Sequence, residues 1–289
     1  MNVVVTGSKG QLGTKIKDCS TKFRTVNFLF FDIEDLDITD NLQIDKLFAQ
    51  NHIDMVVNCA AYTAVDKAEE NHIDAKVLNT IAPAYIAETC LKNNSRFIHI
   101  STDYVFDGEA NTPYIETSET NPQSVYGKTK LEGEIQVLQS NLSSVIIRTA
   151  WLYSEYGSNF AKTILRLAKG DKDLKVVSDQ IGTPTYAGDL ANVILSIISK
   201  YIEDNKWNPG IYHYSGDGIC SWHEFAVEIL KLANIKLPVY PVSSHEFPVK
   251  AKRPTYSVLD KSKIISTFGI KIPDWKDSLK IMLKKYLSE

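Results

Sequence analysis

The sequence predicts a doubly wound, mostly parallel α/β sheet followed by a smaller C-terminal α/β lobe, and three observations carry that expectation. Short apolar, β-branched runs alternate with segments of helical period through the first half. A glycine-rich turn follows the first of those runs, and after about residue 150 the rhythm loosens into a stretch richer in Pro and aromatics. Alternation of this kind builds right-handed βαβ units, whose strands are parallel and covered by helices.

Taken in order, Val3 to Thr6, Val26 to Asp32, Met55 to Asn58, Phe97 to Ile100 and Val145 to Arg148 read as strands buried on both faces, because they are apolar without alternating. Between them Ile44, Leu47 and Phe48 share one helix face, as do Ala82, Tyr85, Ile86 and Thr89. Beyond residue 150 a helix is expected from Asn159 to Ala168, a strand around Leu174 to Val177, a loop at Pro184 and a helix from Asp189 to Lys200. Ser221 with Glu224 has the spacing of a capping box. The expected division is a dinucleotide-binding domain over 1–150, with segment 170–200 returning to it, and a substrate-binding lobe over 151–289.

Composition narrows the function. With 44% hydrophobic and 23% charged residues over 289 positions, disordered, collagenous and coiled-coil chains drop out. The net charge of -3, without a basic stripe, argues against nucleic acid. Cys19, Cys59, Cys90 and Cys220 form no CxxC pair and the histidines no HExxH, so no metal is expected. No apolar run approaches the roughly 20 residues of a membrane span, no basic leader opens the chain, and a reducing cytoplasm is the expected compartment.

The first strand runs into Gly7, Ser8, Lys9, Gly10, Gln11, Leu12 and Gly13. Gly7 permits a tight turn, Gly10 lets backbone N–H groups approach a pyrophosphate, and Gly13 lets helix and strand pack closely. Asp32 follows Gly13 by nineteen residues, where an acid can bind a ribose diol and repel a 2'-phosphate, so NADH is expected to be preferred and NADPH also admitted. Tyr126 and Lys130 form a YxxxK pair on one helical face, where a neighbouring cation would bring the phenol proton within range near neutral pH. The fourth strand ends in Ser101, Thr102 and Asp103, putting hydroxyls at the same sheet edge as the glycine loop, where one could polarise a carbonyl.

These segments, with NCAAYTAVDKAE from Asn58, STDYVFDG from Ser101, YGKTKLEGE from Tyr126, RTAWLY from Arg148, NFAKTILRLA from Asn159, DQIGTPT from Asp179 and RPTYSVLD from Arg253, give a chain that resembles the extended short-chain dehydrogenase/reductase superfamily. Within it the chain is similar over nearly its whole length to the dTDP-4-dehydrorhamnose reductase family. The resemblance implies a Rossmann sheet and reduction of the C4 ketone of a dTDP-bound 4-keto-6-deoxy-L-sugar. It implies Tyr126 as proton donor, and Lys130 holding the nicotinamide ribose while depressing the phenol pKa. Thr102 would bond the sugar carbonyl, with Asp103 close by. Gly10, Gln11, Leu12 and Asp32 would contact the dinucleotide, Asp37 and Ile38 the adenine side, and Ala60, Ala61 and Tyr62 the stretch between ribose and pyrophosphate. Trp151 would lie against the deoxyhexose or be buried between lobes; Arg253 would meet the substrate diphosphate or be a solvated loop cation; Asn159 would hold a phosphate or cap its helix.

Some relatives carry an acid just after the glycine loop that joins a magnesium site between subunits. This chain has Lys15 there, so no metal-bridged dimer is expected, leaving a monomer or weak homodimer. Two rivals share the scaffold. An epimerase or dehydratase would keep NAD tightly, and a dehydratase usually has an Asp–Glu pair after the catalytic hydroxyl, where this chain has Asp103 and Tyr104. A regulatory subunit like that of methionine adenosyltransferase would not need Tyr126 and Lys130.

Overall fold

Apolar side chains run unbroken along the central strands and so face both sides of the sheet, which must be covered on both, and it is. The structure, a computed structural model, describes residues 1–170, 172–247 and 249–288. Six parallel strands, β1 (Asn2–Thr6), β2 (Asn27–Phe31), β3 (Met55–Asn58), β4 (Arg96–Thr102), β5 (Val145–Thr149) and β6 (Gly210–Tyr214), lie in the order β6-β5-β4-β3-β1-β2. Val3, Val5, Val57, Ile98 and Ile147 point to one face, under α1 (Gln11–Ser20) and the later helix α6 (Ala187–Asp204). Val4, Val56, Phe97 and Ile146 point to the other, under α2 (Asn41–Gln50), α3 (Ala82–Lys92) and α4 (Val125–Ser140). This is a doubly wound Rossmann-type sheet, and the chain reverses its direction of travel between β1 and β3, the place where such folds open a crevice.

Two expectations are corrected. The second strand is an edge strand and is only partly covered, because no strand among the described residues pairs beyond it. Segment 170–200, expected to return to the larger domain, does so only in its second half, through α6. Leu174–Val177 pairs with Val239–Val242 in the smaller lobe, whereas α6 packs on α1 and β6, from beyond residue 200, extends the sheet. A single strand beside β5 covers its otherwise open edge, which is why the 151–289 segment contributes to both lobes.

The smaller lobe packs α5 (Phe160–Leu167), α7 (Trp222–Leu232) and α8 (Trp275–Tyr286) around Phe225, Ile229, Leu279 and Met282. The capping box at Ser221 and Glu224 is formed and opens α7. No helix among the described residues is long and apolar enough to cross a membrane.

The lobes meet at α1. Lys15, far from being a surface cation, is 1% exposed and pairs at 2.8 Å with Glu155, itself 2% exposed. Tyr186 donates to the same carboxylate at 3.1 Å, and Asp18 lies 3.2 Å from the ammonium. Burial, the largest single influence, would depress the Lys15 pKa, but Glu155, Tyr186 and Lys285 together outweigh it and the pKa is raised. Removing one partner of such a pair strands a buried charge. Lys15→Met is therefore expected to cost about 3–5 kcal/mol in urea unfolding, with Lys15→Met/Glu155→Leu recovering much of it. Additive losses in the double variant would show that the two side chains are not coupled.

Candidate active site

The glycine loop is shaped by contacts that admit no side chain. Gly7 has φ +64°, and a Cβ there would meet the Ala60 nitrogen at 2.7 Å; a Cβ on Gly13 would stand 2.3 Å from the Gly7 carbonyl oxygen. The turn is closed by Gly10 N–H donating to Gly7 O at 3.1 Å. Gly10 is also the N-cap of α1 and has no side chain to satisfy the first-turn N–H groups, which leaves that helix end suited to an anion. Asp32 accepts from the Lys9 N–H at 2.7 Å and the Ile33 N–H at 3.0 Å, so the acid is fixed beside the loop. Lys9 itself reaches Glu34 at 2.8 Å, putting a cation at the same edge.

A cleft of about 730 Å³ opens along the carboxyl ends of β1, β3 and β4. Its walls hold Gly7, Gly10, Gln11, Leu12, Gly13, Asp32, Asp37, Ile38, Ala60 and Ala61 at one end, and Thr102, Asp103, Tyr126, Lys130 and Trp151 at the other. Three expected residues stand back from it. Tyr62 has its backbone held by Asn79, which accepts from its N–H at 2.8 Å and donates to its carbonyl at 3.1 Å. Asn159 caps α5 by accepting from Lys162 N–H, and donates to Gln11 at 2.9 Å, so capping accounts for it. Arg253 pairs with Asp66 at 2.5 Å and donates to the Tyr104 hydroxyl at 3.2 Å, reaching the cleft only through that tyrosine. Tyr104, Cys59, Gly157 and Ser158 line the cleft without having been singled out from the sequence as site residues, and Ser101, expected at this edge, lines it too. The motif STDYVFDG held the signal for Tyr104, whereas Gly157 arrives by folding of the second lobe.

Tyr126 sits in the first turn of α4, which Ser124 caps by accepting from Gly127 N–H. The helix approaches closely because Gly127 and Gly133 have no Cβ; one would lie 2.3 Å from Tyr104 O, the other 2.1 Å from Asn79 O. Enclosure pushes the phenol pKa up; the Thr102 hydroxyl pulls it back, while Asp103 and Tyr104 add to the rise. The depression expected from Lys130 is absent. Its amine is turned to β4, donating to Ile100 O at 2.6 Å and lying 3.2 Å from His99 Nε2. Burial lowers Lys130 to about 8.

Thr102 donates to Asp103 Oδ1 at 2.9 Å and accepts from Tyr104 N–H at 3.2 Å. Asp103 is 3% exposed, its Oδ2 has no partner, and burial raises it to about 7. An orphaned carboxylate oxygen beside a hydroxyl in a cleft wall suits a polar ligand. Trp151 has a left-handed φ of 47° and stacks on Trp222 at 3.5 Å and 8° between planes, so one ring face is covered inside the lobe while the residue still lines the cleft. No cluster of His, Cys, Asp and Glu among the described residues has a metal-binding arrangement.

The sequence model of the family described as RmlD substrate binding domain matches residues 1–288. A dTDP-4-dehydrorhamnose reductase of Aggregatibacter actinomycetemcomitans is 40% identical over 96% of this chain and 97% of its own. The crystal structure of a dTDP-4-dehydrorhamnose reductase from Clostridium acetobutylicum superposes with a TM-score of 0.93 at 45% identity, covering 100% of both chains. That of a dTDP-4-dehydrorhamnose reductase from Bacillus anthracis, in complex with NADP, gives 0.93 at 36% identity, covering 98% of this chain and 99% of its own. The chain belongs to the RmlD substrate binding domain family.

Because the loop has no room at Gly13, Gly13→Ala must displace it from the strand. Dinucleotide affinity, read by fluorescence titration with NADPH, is expected to fall by about tenfold or more, equivalent to at least ~1.4 kcal/mol.

Proposed function

We propose that this member of the family reduces the C4 ketone of dTDP-4-dehydro-L-rhamnose to dTDP-L-rhamnose, an NAD(P)H-dependent oxidoreductase reaction in which Tyr126 is the proton donor. The observation that carries the reading is the single cleft joining the glycine loop to Thr102, Tyr126 and Lys130, in a chain 40% identical to a relative so named. The residues fit a dinucleotide: the turn is held tight by backbone contacts that leave no room for a Cβ at Gly7 or Gly13, and the capless end of α1 lines the cleft. Bound there, the reduced nicotinamide supplies hydride.

This chain's residues supply the rest. Gln11 and Leu12 hold phosphate at the helix end, and Asp32 holds the ribose diol. Lys130 takes the nicotinamide ribose; Thr102 turns its hydroxyl from Asp103 to the sugar carbonyl; Tyr126 gives its proton to the oxygen as charge develops there. A raised phenol pKa keeps that proton on the donor at neutral pH. Asp103 and Trp151 would face the sugar, and Arg253 with Tyr104 the nucleotide end. Larger and smaller lobes would hold dinucleotide and sugar nucleotide respectively, in a monomer or weak homodimer of the cytoplasm.

Asp32 favours NADH, while Lys9, adjacent to it and exchangeable from Glu34, is the cation through which a 2'-phosphate is tolerated. Support for NADPH use comes from the Bacillus anthracis relative, whose structure contains NADP. The dehydratase reading is disfavoured because Asp103 is followed by Tyr104 rather than by the Glu that a dehydratase usually carries there.

Tyr126→Phe is expected to lower kcat by about 10²–10⁴-fold with little change in nucleotide affinity. The assay is absorbance at 340 nm with dTDP-4-dehydrorhamnose and either NADH or NADPH; turnover by the variant at the wild-type rate would remove Tyr126 as donor. The alkaline limb belongs to Lys130, not to the phenol. Its ammonium is present below about 8 and lost above it, so kcat/KM is expected to decline through that pH.

A further inference from the structure

Four side chains from three neighbouring strands and one helix form a buried polar line: Thr6, Asn58, His99 and Lys130. Asn58 Oδ1 accepts from the Thr6 hydroxyl at 2.6 Å and from the Ala60 backbone N–H at 3.2 Å. A backbone N–H can only donate, so the amide has one tenable orientation, with its NH2 group facing His99 Nδ1 at 3.1 Å. Nδ1 therefore accepts. That excludes the imidazolium and leaves the single ring proton on Nε2, which faces Lys130 Nζ at 3.2 Å. An ammonium has no lone pair to offer a donor, whereas a neutral amine can accept from Nε2–H and still donate to Ile100 O at 2.6 Å.

We propose that His99 is a positioning residue: with its tautomer fixed by Asn58, it holds Lys130 at alkaline pH as a neutral amine against β4, so that Lys130 gains a proton when it leaves His99 for the ribose of the nicotinamide nucleotide. This rests on Lys130 meeting that ribose. His99 touches neither nucleotide nor sugar in this role; it sets the charge and direction of the residue that does.

The surroundings agree. Glu134 on its own helix and Cys59 at the end of β3 act on Lys130, His99 on β4 lies 3.2 Å from its amine, and Tyr126, Asp103 and Tyr104 line the same cleft. Glu134 favours the ammonium, but its carboxylate is already committed to Arg148 at 2.6 Å and Ser101 at 2.5 Å. Burial holds Cys59 up at about 12, so it brings no charge. Tyr126 and Tyr104 are raised by enclosure and are likewise neutral. Asp103 is the remaining acid, and its removal provides a control.

The test is calorimetric titration of the wild-type enzyme with NADPH at pH 9 in two buffers of different ionisation enthalpy. About one proton is expected to be taken up per nucleotide, where a lysine of ordinary pKa near 10.4 would already be charged and take up almost none. His99→Gln presents an amide oxygen that accepts from the ammonium; it is expected to lose most of the uptake and to move the alkaline limb of kcat/KM upward by about one pH unit. Asp103→Asn is expected to keep the uptake. Nitrogen-15 NMR of histidine-labelled wild-type protein, which needs no variant, is expected to find His99 Nδ1 unprotonated. A protonated Nδ1, binding without uptake, or uptake unchanged in a folded His99→Gln would each overturn the inference and leave the functional reading standing. Absence of binding by NADPH and NADH alike would sink both.

Discussion

A sheet covered on both faces can carry polar side chains only where each finds a partner, and the carboxyl edge of this sheet meets that condition through strand register. Thr6 lies opposite Asn58, and Asn58 opposite His99, so three residues from β1, β3 and β4 fall in line across the sheet. The line begins at the strand that feeds the glycine loop and ends at Lys130 on α4. It connects the end of the cleft suited to phosphate with the end suited to proton transfer by four hydrogen-bonded side chains. A register shift of one residue would turn them into the apolar layers and leave each unsatisfied.

A second buried network pins the helix that carries Tyr126. Arg148 on β5 meets Glu134 through two nitrogens, Ser101 on β4 donates to the same carboxylate, and His213 on β6 lies 3.4 Å from the guanidinium. Such a pair contributes little net stability over an apolar replacement, but it is intolerant of loss of one partner. Its effect is positional: α4 is tied to three adjacent strands, while Gly127 and Gly133 allow it to come close to the segment bearing Tyr104 and Asn79.

The smaller lobe is seated by comparable means. Gln11, one residue into α1, accepts from Ser154 and Asn159, and Lys15 one turn later is buried against Glu155. The helix that begins at the glycine loop is thus also the helix that holds the second lobe. In the same lobe, Gly182 gives the Trp151 ring room, and Thr185 N–H donates to the Trp151 carbonyl at 3.1 Å, which together support an unusual left-handed backbone at the cleft wall.

Sequence alone determined the parallel sheet, because unbroken β-branched runs must be buried twice, and it determined the glycine loop, Asp32 and the Tyr126–Lys130 spacing, because local geometry demands those residue types at those intervals. The capping box at Ser221 was legible for the same reason. Only the tertiary structure decided that β6 completes the sheet, that Lys15 is an internal ion rather than a surface one, that the Tyr62 backbone is held by Asn79 and that Asn159 joins its helix cap to Gln11. It also decided the direction of Lys130. Spacing along a helix says which side chains share a face; it does not say what a strand residue more than thirty positions earlier, His99, will present to them. Charge state and tautomer follow from partners brought together across the sheet, and those partnerships exist only once the chain is folded.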